Sequence, residues 1–323
     1  MLNLMIKRKN LIFSIALNFL MVTGCKENGM IFKITEHKEL TGIASASGIE
    51  ATSQGLYIIG DNSPFLFKLN SQLEIEEKIK LFPENQKTDS LFEKMAKPDL
   101  EALTTADKNG HILYAFGSGS KSPERDILIE IDLRKGGEIS EYSLKNFYED
   151  LKAKAQLSSE TLNIEAAAIL GDDIFLFNRG KNLIVRYSLS DFKKYLEGTG
   201  KIPLFQIFNV QLPEINGISA GFSGASLNEA NESIIFTATV EDTSNWIDDG
   251  EVLGSFLGVI PLKDLKDQLR PKYISIGTEG EQLPIKVESV TVLPPFSKTS
   301  ANLILVTDSD GGISEFLRGT LTF

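Results

Sequence analysis

The candidate binding and catalytic residues of this chain are mainly carboxylates, and four of them recur in a repeated sequence motif. The copies of this motif are SGIEAT at 47–52, PDLEAL at 98–103, LNIEAA at 162–167, AGFSGA at 220–225 and KVESVT at 286–291. Four copies keep a glutamate, at Glu50, Glu101, Glu165 and Glu288, and Ser223 takes its place in the copy at 220–225. Carboxylates that lie close together repel one another unless cations or protons neutralise them. A ring of these residues is therefore expected to bind cations or protons.

The repeated glutamates also fit a structural role. A residue that recurs in every unit of a repeat protein often joins one unit to the next. A glutamate can do this by accepting hydrogen bonds from backbone amides of the neighbouring unit. The sequence leaves both interpretations open.

A second polar set follows the next strand-like run of each unit. Its members are Asp61, Ser118, Arg179, Glu241 with Asp242, and Asp308 with Asp310. One interpretation is a site at a channel mouth, where these carboxylates meet one guanidinium. The other is that Asp simply stabilises tight turns. Because the members differ from unit to unit, this set is the stronger candidate for a binding site.

The residue types that could act as ligands limit which metal ions this chain is expected to bind. The histidines are His37 and His111, far apart in the chain, and the single cysteine is Cys25, so a zinc site is not expected. Ligands that are all oxygen favour calcium or magnesium. Calcium candidates are Glu241, Asp242, Asp248, Asp249 and Glu251 around Trp246, together with Asp308 and Asp310. The alternative for the stretch around Trp246 is a solvated acidic turn, because its spacing is not that of an EF-hand.

Charge and motifs exclude several functions. Acidic residues outnumber basic ones by 44 to 33, and the formal net charge is −11. Nucleic acids need a basic face, so they are not expected partners. The sequence has no G-x-S-x-G elbow, and GSGSK at 117–121 lacks the P-loop spacing.

The first 24 residues resemble a bacterial lipoprotein signal. Lys7, Arg8 and Lys9 precede the apolar run LIFSIALNFLMV, and VTGC places small residues before Cys25. Cys25 is then the lipidated first residue of the mature chain, and 25–29 form a short tether. The alternative is an uncleaved anchor, but this apolar run is shorter than the roughly 20 residues that span a bilayer. The expected location is the bacterial cell envelope, periplasmic or surface-exposed, with the membrane contacted through the lipid alone.

The sequence predicts that these residues lie on or beside β-strands. Each repeat contains up to four short strand-like runs separated by turn residues, which is typical of a β-propeller blade. We predict an all-β fold with five four-stranded blades in one domain at 30–323. The fifth unit is one strand short, so the run at 30–40 is expected to close it as the outermost strand. Six blades is the alternative, if 71–97 or 191–219 hides another unit. Helical spacing predicts short helices at 146–157 and 262–270.

The motifs together resemble a family of bacterial β-propeller proteins of unknown function. They are SGIEA, PDLEAL, NIEAAAIL, VEDTSNWIDDG and VTDSD, and they span nearly all of the mature chain. The family is in turn distantly similar to phytase-like and esterase-like propellers. Phytase-like propellers gather calcium with carboxylates, and this implies a polar mouth here. Ligand-side candidates are then Glu50, Asp61, Glu101, Glu165, Glu241, Asp242, Glu288 and Asp308, with Lys121, Arg125 and Arg179 facing an anionic group.

Two functions follow as expectations. The first is an envelope lipoprotein whose carboxylate-rich channel mouth binds a small polar ligand or a protein partner. The second is a calcium-dependent hydrolase of phosphate or carboxylate esters, in which a metal polarises the bond and a carboxylate activates water. No complete catalytic set can be assembled from the sequence, so binding is favoured.

Overall fold

The computed structural model of the protein describes residues 29–43, 45–82, 91–93, 96–243, 250–278, 281–308 and 314–323. Within these ranges the chain forms five four-stranded antiparallel sheets, and each sheet is one blade. The prediction of a five-bladed β-propeller is confirmed, and the six-bladed alternative is wrong. The six-bladed alternative allowed an additional blade in the stretch at 191–219. This stretch instead contains most of a helix and the fourth strand of the third blade.

The strands succeed one another along the chain as follows. Strand β1 is Ile31–Glu39. Blade 1 holds β2 to β5, at Ala46–Thr52, Gly55–Gly60, Phe65–Leu69 and Ile75–Lys80. Blade 2 holds β6 to β9, at Leu100–Thr105, Ile112–Gly117, Ile127–Asp132 and Glu138–Ser143. Blade 3 holds β10 to β13, at Ile164–Leu170, Asp173–Asn178, Leu183–Ser188 and Gln206–Asn209.

The last two blades are flanked by short two-stranded ladders. The first ladder is β14, Glu214–Ile215, with β15, Ile218–Ser219. Blade 4 holds β16 to β19, at Gly221–Asn228, Ser233–Asp242, Glu251–Pro261 and Lys272–Ser275. The second ladder is β20, Gly277–Thr278, with β21, Glu281–Gln282. Blade 5 holds β22 to β24, at Lys286–Leu293, Ser300–Asp308 and Glu315–Thr322.

Strand β1 closes the ring as the outermost strand of blade 5. It pairs antiparallel with β24, in a register that runs from Ile31 opposite Thr322 to Glu39 opposite Glu315. The beginning and the end of the described chain therefore share one sheet, as the run at 30–40 predicted. This closure completes blade 5 and fastens blade 1 to blade 5 through the same segment.

The inner strands β2, β6, β10, β16 and β22 contact one another in a closed ring around a central channel. All five run in the same direction. The upper mouth is the end of the channel at which these strands begin, and the lower mouth is the end at which they finish. Hydrophobic clusters fill the spaces between neighbouring blades.

Two helices pack outside the sheets. The predicted helix at 146–157 is confirmed as α1, Lys145–Ala155. A second helix, α2 at Leu189–Leu196, was missed, although Ser188 caps it by accepting a hydrogen bond from the Asp191 amide. Phe147 and Phe192 from the two helices meet with ring centroids 5.1 Å apart in the core between blades 2 and 3.

The helix predicted at 262–270 is wrong. A single 3-10 turn, Leu262–Asp264, forms there. Beyond it, the Leu269 amide donates to the Asn209 carbonyl at 3.0 Å, and the Gln211 amide donates to the Leu269 carbonyl at 2.8 Å. These contacts between blades 3 and 4 outweigh a weak local helical preference. Across the described ranges, no helix is long and apolar enough to cross a bilayer.

Candidate functional site

Every inner strand contains a β-bulge at the same level near the upper mouth. In each blade one residue of the inner strand has no partner on the second strand, and the register shifts by one around it. The bulged residues are Ser47, Glu101, Glu165, Ser223 and Glu288. A bulge bends its strand and redirects the extra side chain. These five positions are therefore equivalent, and four of the five line one cavity at the upper mouth.

The bulges correct one of the sequence predictions. Glu101, Glu165 and Glu288 are equivalent, and Ser223 is their counterpart in blade 4, as predicted. Glu50 is not, because the equivalent residue of blade 1 is Ser47, three residues earlier. The sequence contains a cue for this, since Ser47 and Ser223 are both followed by glycine. The carboxyl ring at the bulges thus has three members.

The upper-mouth cavity has a volume of about 100 Å³ and receives side chains from all five blades. Of the second predicted ring, Asp61, Arg179, Glu241 and Asp308 line it, so residues far apart in sequence converge as expected. Arg125 lines it as well. The complete lining is Ser45, Ala46, Ser47, Asp61, Lys97, Asp99, Glu101, Ser120, Arg125, Asn163, Glu165, Arg179, Glu241, Thr243, Lys286, Glu288 and Asp308.

One side of the cavity is formed by an ion cluster from blades 1 and 2, which we name the Lys97 cluster: Asp61, Lys97, Asp99 and Arg125. The Lys97 ammonium contacts the Asp61 carboxylate and lies 2.7 Å from Asp99 Oδ1. Arg125 donates to Asp99 Oδ2 at 2.6 Å. Ser118, buried behind the cavity, donates to the same Asp99 oxygen at 2.5 Å. Two carboxylates here face two cations, so the cluster is balanced in charge.

The other side is formed by the Arg179 cluster from blades 3, 4 and 5: Glu165, Arg179, Glu241, Lys286 and Glu288. Arg179 donates to Glu241 and lies 3.9 Å from Glu165 Oε2. Lys286 lies 3.2 Å from Glu241 Oε1 and 3.1 Å from Glu288 Oε1. Three carboxylates here face two cations. Burial alone would lower the pKa of Arg179, but Glu165, Glu241 and Glu288 raise it above its ordinary value.

A glycine makes room for the Arg179 side chain. Gly221 occupies blade 4 two residues before the bulge at Ser223. A methyl group at Gly221 would lie 2.5 Å from Cγ of Arg179, closer than carbon atoms can approach. Arg179 of blade 3 therefore fills the space that a blade 4 side chain would take. Its long stem carries the guanidinium from one blade to Glu241 of the next.

Burial raises the pKa values of several carboxyl groups that line the cavity. It raises the pKa of Glu165 to about 8, although the Arg179 charge opposes this. It raises the pKa of Glu101 well above the usual range, and the charges of Asp99 and Glu165 add to the effect. Burial also raises the pKa of Asp61, against the Lys97 charge. Glu101 and Glu165 therefore favour the protonated form at neutral pH.

Glu50 lies at the lower mouth, where it joins two blades. Its Oε1 accepts a hydrogen bond from the Thr105 amide of blade 2 at 3.2 Å. Thr291 of blade 5 accepts a hydrogen bond from the Ala51 amide at 3.0 Å. Thr291 follows the bulged residue of its strand by three positions, and so does Glu50. Ser226 holds the same position in blade 4 and accepts from the Val292 amide at 3.1 Å. The structural interpretation of the glutamates is thus correct for Glu50.

The remaining predicted site residues lie elsewhere. Asp242 is exposed at the end of β17, and Lys121 pairs with Glu124 at 3.4 Å; neither lines the upper-mouth cavity. Glu251 is exposed at the start of β18, opposite Asp242. Asp248, Asp249 and Asp310, proposed as calcium ligands, lie outside the described residues, as does Cys25.

Four charged or amide residues of the cavity were missed by the sequence predictions: Lys97, Asp99, Asn163 and Lys286. Asp99, Asn163 and Lys286 each precede a bulged glutamate by two residues. Successive side chains of a strand alternate between its faces, so residues two apart share a face. Spacing from the repeated glutamate could therefore have found these three, whereas nothing in the sequence marks Lys97.

Three carboxylates of the cavity have the spacing of a metal site. Ligand oxygens of Asp61, Asp99 and Glu101 lie within 4.8 Å of one another. Oxygen-only ligands of this type suit calcium or magnesium. The Lys97 ammonium already contacts two of the three carboxylates, so a bound metal ion would compete with it.

The chain is similar to one protein family and to several solved structures. The model of a family of unknown function, DUF6929, matches residues 42–321. No curated protein matches the chain. Among solved structures, a glutaminyl cyclase from Myxococcus xanthus aligns at 10% identity over 90% of this chain and 95% of its own, with a TM-score of 0.48. A PQQ-bound aldose sugar dehydrogenase from Streptomyces coelicolor aligns at 13% identity over 90% and 98%, with a TM-score of 0.47.

Proposed function

The chain belongs to the DUF6929 family of unknown function, and we propose that its upper mouth binds a small polar ligand that carries a positive charge. The observation that carries this proposal is the charge of the cavity. Among its described lining residues, seven carboxyl groups face four cationic groups. Like charges brought together in a partly buried site must be compensated by protons or by a cation. A cationic ligand supplies that compensation.

The size and polarity of the cavity support a small polar ligand. Its volume is about 100 Å³, and Ala46 is the only apolar residue among the described lining. Sites for apolar ligands are lined mostly by hydrophobic and aromatic side chains, which are not found in this lining. Carboxylates on a rigid inner strand can accept charge-assisted hydrogen bonds from an ammonium group.

Glu101 and Glu165 form the best place for the positive charge. They occupy the equivalent bulge in adjacent blades. Asp61 and Asp99 are in close contact with the cations of the Lys97 cluster, whereas Arg179 is 3.9 Å from Glu165 Oε2. The repulsion between Glu101 and Glu165 contributes to the raised pKa of Glu101. A cation between them would stabilise both carboxylates in the ionised form. Ligand binding is therefore coupled to proton release at neutral pH.

The proposed setting is the bacterial cell envelope, with Cys25 as the lipid attachment point. The signal-like segment that precedes Cys25 supports this location. A lipid anchor would hold the propeller at a membrane surface and leave its cavity open to the aqueous phase. A protein partner that inserts a lysine or arginine side chain into the mouth would satisfy the same chemistry.

A calcium-dependent hydrolase is the second candidate, and one observation favours it. The carboxylates of Asp61, Asp99 and Glu101 are close enough together to share an ion. Calcium there would supply Lewis-acid polarisation of an ester oxygen. Glu165, whose pKa burial raises to about 8, could hold the proton that a leaving group needs.

Calorimetric titration tests the first proposal against the second. The unlipidated Cys25→Ser form is titrated with putrescine, calcium chloride and, as an anionic control, sodium acetate, each in two buffers of different ionisation enthalpy. We expect putrescine to bind with release of protons and to raise the melting temperature through linkage to the folded state. Glu101→Gln should weaken putrescine binding about tenfold or more, because one charge-assisted contact is lost.

The control is Glu124→Gln, a change in an exposed carboxylate that pairs with Lys121 outside the cavity. It should leave the affinity unchanged. Calcium binding without amine binding, together with chelator-sensitive cleavage of a generic phosphate ester, would favour the hydrolase. If neither cation binds, both proposals are wrong.

A further inference from the structure

The chain enters the propeller at its lower end, opposite the charged cavity. Ile31, the first residue of β1, pairs with Thr322 at the lower end of blade 5, and β1 runs upward to Glu39. The Phe323 amide donates to the Thr299 carbonyl at 3.0 Å, in the hairpin between β22 and β23. The entry point, the last residue and this hairpin therefore lie on one face.

From this topology we propose that the lower face of blade 5 lies against the bilayer surface when Cys25 carries its lipid. Gly29 is the first described residue and follows Cys25 by four positions. Four residues reach at most about 14 Å even when fully extended. A lipid inserted in the acyl region would hold Cys25 at the headgroups. The lower end of blade 5 would then have no room to leave the surface.

Exposed apolar side chains occur on this same face. Phe296, in the hairpin between β22 and β23, is 41% exposed, and Ile31 at the start of β1 is 36% exposed. Pro294 and Pro295 beside Phe296 are exposed as well. Aromatic and aliphatic side chains on the surface of a membrane-associated protein enter the boundary between headgroups and acyl chains.

Basic residues accompany these apolar groups. Lys33 and Lys298 are exposed near Ile31 and Phe296. Lysine side chains can extend their ammonium groups toward lipid phosphates while their stems lie on apolar surface. The chain as a whole carries a formal net charge of −11, which disfavours a broad contact with an anionic membrane. The contact therefore involves the lower edge of blade 5 and not the whole lower face.

The orientation has a consequence for the cavity. The inner strands begin at the upper mouth and end at the lower mouth, so a bilayer at the lower end leaves the upper mouth facing the aqueous phase. A ligand would reach Glu101 and Glu165 from solution, without passing between the protein and the membrane.

Tryptophan quenching tests the orientation on the lipidated full chain. Trp246 is the single tryptophan, so it is first replaced by phenylalanine. Phe296→Trp then reports on the lower face. The matched control is Leu91→Trp, since Leu91 is 50% exposed and Phe92 beside it bonds to Asn62 at the upper end of blade 1. Both variants are reconstituted into phosphatidylcholine vesicles with bromine on the acyl chains.

We expect the brominated lipid to quench tryptophan at 296 at least about twofold more strongly than tryptophan at 91, because bromine quenches only at close contact. Equal quenching at the two positions, or stronger quenching at 91, would overturn the orientation. The premise is checked in parallel with Cys25→Ser, which should leave the membrane fraction. Retention of that variant in the membrane would show that no lipid on Cys25 tethers the protein, and the proposal would fall with it.

Discussion

The two mouths of the channel use the same residue type in different ways. At the upper mouth, Glu165 belongs to an ion cluster with Arg179, and Asn163 donates to its Oε1 at 2.6 Å. At the lower mouth, Glu50 accepts a hydrogen bond from the backbone of the next blade. Burial raises the pKa of each to about 8. A shifted pKa alone therefore does not distinguish a binding residue from one that fastens blades.

Glu165 and Glu50 differ in the groups that they contact. The neighbours of Glu165 are side chains, which can reorganise around a ligand or an ion. The neighbour of Glu50 is a backbone amide, whose position is set by the strand. The β-bulges separate the two groups, because they turn Glu101, Glu165 and Glu288 into the cavity and leave Glu50 three residues beyond its own bulge.

Arg179→Gln should have the largest effect on the upper mouth. It leaves Glu241 buried without its guanidinium partner. Breaking a buried ion pair in this way costs about 3 to 4 kcal/mol. Chemical denaturation measures the loss. Arg186→Gln is the control, since its pair with Asp173 is exposed and should contribute less than about 1 kcal/mol. Similar losses for the two variants would show that the Arg179 cluster is not a tightly coupled unit.

Gly221→Ala should act through the same cluster. The added methyl group would displace the Arg179 stem, and overpacking of this kind costs about 1 to 3 kcal/mol. In the Arg179→Ala background the cost should fall, because alanine lacks the Cγ atom that the added methyl group would meet. A double-mutant cycle measures this coupling. Additive effects would mean that Gly221 is needed for a reason other than Arg179.

Glu50→Gln should reveal a pH-dependent term at the lower mouth. The folded protein binds a proton on Glu50 more tightly than the unfolded chain, with a pKa of about 8 against 4.5. The wild type therefore loses stability as the pH rises from about 5 to 8, and glutamine does not titrate. Relative to wild type, the free energy of unfolding of the variant should rise by on the order of 3 kcal/mol over that interval. Denaturation at both pH values measures it.

Glu50→Gln also tests whether the two mouths have separate roles. Putrescine affinity should not change in Glu50→Gln, because Glu50 does not line the upper cavity. A large loss of affinity would contradict the division of roles between Glu50 and Glu165. A pH-independent difference in stability would contradict the assignment of the proton to Glu50.

Thr291→Val should have the smallest effect. It removes the hydroxyl that accepts from the Ala51 amide and keeps the shape of the side chain. Leaving the partly buried Ala51 amide without an acceptor should cost about 1 kcal/mol. Thr35→Val, at an exposed position on β1, should change the free energy of unfolding by no more than about 0.5 kcal/mol. Equal losses for the two variants would show that the hydrogen bond of Thr291 does not help to join blades 1 and 5.

Much of the fold followed from the sequence. The repeats and their strand patterns predicted five blades, and the surplus run at 30–40 predicted the closing strand. Strands are recognised from the alternation of apolar and polar residues, and blades from the number of repeats. Both can be read directly from a sequence. The polar residues at the ends of the second strands were likewise predicted to converge, and Asp61, Arg179, Glu241 and Asp308 do so. The helix expected at 262–270 failed because contacts with blade 3 determine that segment.

The register of the inner strands depends on how the strands pair in the folded protein. The motif around Glu50 matches those around Glu101 and Glu165, yet the bulge of blade 1 falls on Ser47. A bulge is a property of two paired strands, so neither strand's sequence locates it alone. Lys97 was hidden for a related reason, since it lies before the inner strand of blade 2 and acquires its role from Asp61 of blade 1. The residue types that surround the channel can therefore be read from the sequence, whereas the pairing between strands sets which of them share the cavity.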